Sequence, residues 1–303
     1  MTQVRALRTT VSPAVGKPYP LDLLLRVHGV ARSTVYDAQR PPEVGPRPPP
    51  GKRGPKTAVS DADLVAAIRV LLAEAEFSGE GHRKLRARLK QRDIHVGKRR
   101  ILRLMRLHDL LAPSRRTRIG QARAHDGTII TAAPNQCWGG DFTEVMTTRD
   151  GKVAIFDLID HCTDEILGVT VTTEATRWSA LDCLHQAVQR EFGGLGKDRA
   201  RGVMLRVDHG SQFTARDYVR EVRHLGLTLS YAFVGQPECN GVIERWHRTL
   251  KEQVLWCRTW TTADEVRQAV LAFVQRYNRN WLIQRHGHRS PSTVRAAFPR
   301  RAA

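Results

Sequence analysis

The character of this 303-residue chain changes once, near residue 135, and that change limits the architectures open to it. Downstream, three strand-like runs follow one another at 140–146, 152–160 and 165–173. Helix and strand then alternate: a helix at about 177–191, a strand at 203–208, a helix at 214–224 and a strand at 227–232. A loop and two more helices, at 241–256 and 262–279, complete the pattern. Successive strands followed by alternation predict an α/β fold, a mixed sheet flanked by helices.

Upstream of 135 the periodicity is helical. Residues 20–40, PLDLLLRVHGVARSTVYDAQR, read as helix, tight turn at His28-Gly29-Val30, and a second short helix that offers Arg32, Ser33, Thr34 and Tyr36 outward. This is either a helix-turn-helix or a plain helical hairpin. Prolines crowd 41–57, which predicts an extended linker. A second helical unit spans 58–112, opened by Ser60 as an N-cap with Asp61 and Asp63 in the first turn. Within it Leu85 and Leu89 share one face, and Ile101, Met105 and His108 another. A basic linker at 113–134, a core at 135–290 and a tail at 291–303 complete the expected domains.

The formal net charge is +19, and it is unevenly placed. Residues 1–134 carry 26 Lys and Arg against 11 Asp and Glu, a net +15, while the remainder carries 23 against 19, a net +4. Such an N-terminal excess predicts a polyanion partner. The charge is most concentrated at Lys98, Arg99 and Arg100, followed by Arg103. Cations at a helix N-terminus oppose the macrodipole, so an external anion such as DNA phosphate is expected there.

The five cysteines are scattered without a C-x-x-C pair or zinc-type spacing, which predicts neither a disulfide framework nor structural zinc. The N-terminus lacks the apolar segment of a signal peptide. No apolar run nears the roughly 18 residues of a membrane span; Arg69 interrupts the best of them. A cytoplasmic, nucleoid-associated protein is expected.

Three acids carry the chemistry. Asp141 lies in WGGDFTEV, Asp208 ends LRVD, and Glu244 lies in the first turn of the helix at 241. Thirty-five residues separate the last two. Each has an ordinary explanation as a solvated strand position, an Asx-turn or an acid favoured by the helix dipole. Three carboxylates on three elements are also the donor set that Mg²⁺ takes alongside substrate phosphate. Two such ions clamp the attacking and leaving oxygens of a phosphoryl transfer. Arg248 and Lys251 follow Glu244 on its helix face and are expected to hold DNA phosphate. His209 and Gln212 flank Asp208, while Ile243, Trp246 and Leu250 form a core stripe. Asp160 is a rival acid at a strand end, taken as structural.

The strings WGGDFT, VDHGSQF and CNGVIERWHRTLKE resemble the DDE transposases of bacterial insertion sequences. More narrowly, the chain resembles their second-frame (orf-B-type) protein, whose partner frame supplies an extra helix-turn-helix. The resemblance covers about 135–290 and, more weakly, 58–112. It implies an RNase H-like, five-stranded core similar to that of retroviral integrase, with Asp141, Asp208 and Glu244 as the catalytic and metal-binding triad. It also implies two Mg²⁺ or Mn²⁺ ions, cleavage at element ends and strand transfer into target double-stranded DNA. The implied partners are further copies of the chain on DNA and an upstream-frame protein. One departure stands out: Tyr277-Asn278 is followed by Arg279-Asn280-Trp281, then by a histidine-rich stretch at 285–289. Two rival readings are a non-catalytic helix-turn-helix regulator and a nuclease that cuts without joining.

Overall fold

The computed structural model describes residues 2–38, 58–113, 131–231 and 241–299. Both expected linkers, at 41–57 and for most of 113–134, lie outside the described residues, as does the loop at 232–240. The chain divides into two compact units, residues 1–58 and 59–303.

The first unit holds α1 (Thr2–Arg8), α2 (Leu21–His28) and α3 (Arg32–Asp37). The expected turn is present: Gly29 adopts a left-handed φ of 61° and ends α2, a conformation glycine reaches without steric cost. Val4, Leu24, Leu25 and Val35 close a small core. Helix α1 was not foreseen.

The second unit begins with three helices, α4 (Asp61–Ala73), α5 (His82–Gln91) and α6 (Lys98–Leu107). Ser60 caps α4 as its sequence predicts, accepting the Asp63 N–H. Leu64, Ile68, Leu85, Leu89, Ile101, Leu104 and Met105 interlock as the core of this unit. Helix α6 ends at Leu107, so His108 is its cap and is exposed rather than part of the buried face.

The predicted sheet follows as β1 (Cys137–Thr147), β2 (Gly151–Asp160), β3 (Ile166–Thr172), β4 (Met204–Val207) and β5 (Thr228–Tyr231). Its order is β3-β2-β1-β4-β5. The pairs β1–β2 and β2–β3 are antiparallel; β1–β4 and β4–β5 are parallel. One face is covered by α7 (Arg177–Phe192), α8 (Ser211–Thr214) and α9 (Arg216–His224), around Phe156, Leu184, Val207 and Tyr218. Gly168 permits this cover, since a Cβ there would collide with the Cys183 carbonyl oxygen of α7. The other face is covered by α10 (Gly241–Leu250) and α11 (Ala263–Asn280), around Ile155, Trp246 and Phe273. Each fully buried Phe or Leu of these layers contributes about 1.5–3 kcal/mol by leaving water.

The structure departs from the sequence reading in three further ways. The helix expected over 241–256 becomes a π-helical turn at Lys251–Leu255. The expected tail at 291–303 starts with a helix, α12 (Pro291–Ala296), capped by Ser290 and begun by Pro291. The helical unit is also joined to the sheet-bearing core: Phe77 sits edge-on to Phe273 and Trp281, Glu76 accepts from Asn280, and Lys84 lies over the Trp281 ring.

Candidate active site

Strand register explains why two of the three acids meet. The parallel pairing of β1 and β4 aligns Gly139 with Arg206. Asp141 lies two residues further along β1, and Asp208 two residues past Arg206, just beyond the end of β4. Side chains alternate, with Trp138 and Leu205 packed toward α7–α9. Asp141 therefore points to the opposite face, where α10 lies, and Asp208 is near enough for its charge to act on Asp141. Glu244 is in the first turn of α10, at the solvent rim.

The electrostatics record the convergence. Burial raises the Asp141 carboxyl above the usual carboxylate range, and the charges of Asp208 and Asp157 push it further. Burial also raises Glu244, with Asp141 as the next cause. Opposing these repulsions are the Phe142 N–H, 2.8 Å from Asp141 Oδ1, and the His247 ring, whose Nδ1 is 3.5 Å from Asp141 Oδ2. Asp208 Oδ1 accepts the Gly210 N–H at 2.9 Å in an Asx-type turn. Carboxylates that raise one another in this way, Asp208 and Glu244 each against Asp141, offer hard oxygen donors of the kind a divalent cation takes. Among the described residues, no group of three or more Asp, Glu, His or Cys side chains is arranged so as to hold a metal ion. Mg²⁺ binds through one or two carboxylates with water and substrate phosphate, so it does not need an all-protein cage.

Two residues of this site were not anticipated. Asp157 lies directly opposite Asp141 in the β1–β2 ladder. It is fully buried, and its Oδ2 is 2.9 Å from His247 Nε2. The signal was available only as an acid in the apolar run KVAIFDLID, and its neighbour across the sheet depends on register.

Comparison with known proteins decides the family. Residues 131–237 and 225–291 both match the integrase core domain, together spanning just over half of the chain, and residues 60–118 match an HTH-like domain. The chain belongs to the integrase core family. It is 28% identical over 278 residues to the transposase of insertion sequence element IS629 from Shigella sonnei, which covers 89% of each chain. Against transposase InsD of element IS2 from Escherichia coli, identity is 27% over 211 residues, 68% of each chain. The HTLV-2 integrase catalytic core domain, solved with magnesium, covers 54% of this chain and 98% of its own at 15% identity, with a TM-score of 0.41.

Within this integrase core, Asp160 is not free to ligate anything. It is fully buried and accepts the backbone N–H of Asn135, Cys162 and Thr163, and the Thr163 hydroxyl, at 2.7–3.1 Å. Its reading as structural stands. The histidine-rich stretch has a place too. Arg285 and His286 both bind the Asp164 carboxylate, and Arg295 of α12 reaches Glu165 and Glu191.

The expected DNA-contact residues separate. Lys98 and Arg99 are exposed at the start of α6. Arg100 instead turns inward, bound to Asp61 and to the Val59 carbonyl. Arg103 also reaches Asp61 but remains 56% exposed. Arg99, Leu102, Arg103, Arg106 and Leu107 line one open groove on the outer side of α6. Arg248 is exposed and pairs with Glu252, 2.9 Å away, and Lys251 opens the π-turn, half-buried. Gln212 is buried, with its amide nitrogen unpartnered, and the His209 ring stacks on Tyr231. Among the described residues, Cys137, Cys162, Cys183 and Cys257 are free thiols, and no helix is long and apolar enough to cross a membrane.

Proposed function

We propose that this integrase-core protein is the DNA transposase of an insertion element, cutting phosphodiester bonds at the element's ends and joining the freed strands to target DNA. In this reading Asp141, Asp208 and Glu244 hold two Mg²⁺ or Mn²⁺ ions. What supports it is Asp141 on β1, a carboxyl raised by burial and by the charge of Asp208, with Glu244 of α10 raised in turn by burial and by Asp141. Bound there, the ions would supply Lewis acidity and charge neutralisation to the attacking and leaving oxygens.

The chain's own contribution is placement. The β1–β4 register sets the spacing of Asp141 and Asp208, and the packing of Ile243, Trp246 and Leu250 fixes the helix that carries Glu244. Lys98, Arg99 and Arg103 present cations from α6 to DNA at the element end, and Arg248 and Lys251 line the approach to the acids. The helical unit at 58–112 acts as the end-binding domain and the core at 135–290 as the catalytic one. More than one copy assembles on paired ends, and an upstream-frame protein is a candidate partner.

A strand-transfer assay with labelled element ends and Mg²⁺ tests the reading. Cut and joined products are expected. A shifted band without cutting would leave a DNA-binding regulator; cutting without joining would leave a nuclease.

A further inference from the structure

The acid at 157 stands where an apolar residue is expected. Its neighbours on the same face of β2, Ile155 and Ile159, are fully buried in the core beneath α10 and α11. A carboxylate there is costly unless it is paired, and hydrophobic replacements of such groups are often neutral or stabilising. Its one hydrogen bond of standard geometry is to His247 Nε2; Oδ1 has none, although the Trp246 indole lies beside it.

His247 is itself buried, three residues after Glu244 and so on the same side of α10. Its ring lies over two paired neighbouring strands. Nε2 is tied to Asp157 on β2, and Nδ1 faces Asp141 Oδ2 on β1. The other Asp141 oxygen accepts from the Phe142 backbone. Both oxygens of Asp141 are therefore bounded, one by its own strand and one by a ring that Asp157 holds in place. One turn of α10 supplies both Glu244 and the wedge that sets its distance from Asp141.

We propose that Asp157 and His247 are a positioning pair for the metal-binding acids: Asp157 orients His247, and His247 fixes the carboxylate of Asp141 relative to Glu244. This rests on the reading of Asp141, Asp208 and Glu244 as metal ligands. Neither member of the pair need touch the substrate. Groups that orient metal ligands in this way typically change metal affinity by about 10–100-fold when lost.

The test uses the full-length protein with Mn²⁺ alone, followed by calorimetry or water-proton relaxation, beside cutting of labelled ends in Mg²⁺. Asp157→Val removes the acceptor and fits an apolar strand. Asp157→Asn keeps an acceptor for His247. His247→Phe keeps the ring volume and loses both contacts, and it stands in if the valine variant does not fold. Expected for Asp157→Val and His247→Phe is roughly a 10-fold weaker Mn²⁺ affinity and a matching rise in the Mg²⁺ needed for half-maximal cutting. Asp157→Asn should stay within about 3-fold of wild type. Wild-type Mn²⁺ affinity in a folded Asp157→Val or His247→Phe variant overturns the pair. Asp208→Asn serves as the reference: if it still binds Mn²⁺ and cuts, the ligand assignment has failed, not the positioning argument alone.

Discussion

Two groups of acids belong to the same core, one buried and one reaching the solvent rim, and they are treated differently. Around the β2–β3 turn, Asp160, Asp164, Glu165 and Glu191 are met by Arg190, Arg285, Arg295 and His286, together with backbone N–H groups. Around the end of β4, by contrast, Asp141 and Asp157 have the His247 ring beside them, and Asp208 and Glu244 lie near Asp141. The first group is an internal salt-bridge network that fastens the C-terminal segment to the sheet. The second is left short of positive charge at a rim open to solvent. A chain that neutralises one acid cluster so fully has the means to neutralise the other. In the proposed reading, that deficit is met by divalent cations.

The sharpest way to break this contrast is to neutralise one acid in each group. Asp208→Asn is expected to lower cutting by on the order of a thousand-fold or more, while DNA affinity in a gel-shift titration stays near wild type and the melting temperature does not fall. A variant that still cuts would remove the functional half of the comparison. The structural half answers to Arg295→Ala. Glu165 and Glu191 would each lose a close partner, and Asp160 a neighbouring charge. Removing one partner of a buried charge pair costs roughly 3–5 kcal/mol when nothing else compensates; with Arg190 still at Glu165 and Glu191 the expected loss lies below that range, and urea unfolding would read it directly. A loss well below 1 kcal/mol would mean that the network is not what holds α12.

The two groups also differ in how visible they were. Asp208 and Glu244 could be picked out because each stands at a change of local pattern, a strand end or a helix start, and Asp141 because it is an acid early in a strand-like run. The sheet was legible for the same reason: its strands are apolar runs broken by turns. Asp157 and His247 depend on something no local pattern contains, the pairing of Asp141 with Asp157 across β1–β2 and the way α10 lies over both. Helix α12 was overlooked because six residues show too little periodicity, although Ser290-Pro291 is a recognised helix start. Arg100 was grouped with Lys98 and Arg99 because they are adjacent, yet neighbours on a helix point about 100° apart.

Acid titration sharpens the structural side. His161, beside the β2–β3 turn, is buried among Arg206 and Arg285, and burial first, then those charges, depress its pKa from 6.5 to about 4. The folded protein thus keeps it neutral where the unfolded chain would take up a proton. Stability from this residue is intact above about pH 6.5 and is lost as pH falls toward about 4, up to about 3 kcal/mol. His161→Leu should flatten that part of the curve. The measurement is the difference between wild type and variant in urea unfolding at pH 7 and pH 4.5. An unchanged difference would place His161 outside the network's acid response.

The smallest effects come from the helical unit, where the same distinction between spent and unspent charge applies to cations. Arg99 is exposed on the groove side of α6, whereas Arg100 is consumed by Asp61, whose carboxyl the Arg103 and Arg100 guanidinium groups hold at about 2. Arg99→Ala is expected to weaken DNA binding evenly across sequences and to reduce the slope of log affinity against log salt by about 1, as the loss of one phosphate contact requires. Arg100→Ala should leave that slope unchanged and lower the melting temperature instead, because it unties α6 from the start of α4. The pair of slopes is the informative measurement. Equal changes for both residues would mean that α6 meets DNA through its whole first turn, and that the inward ion pair opens when DNA arrives.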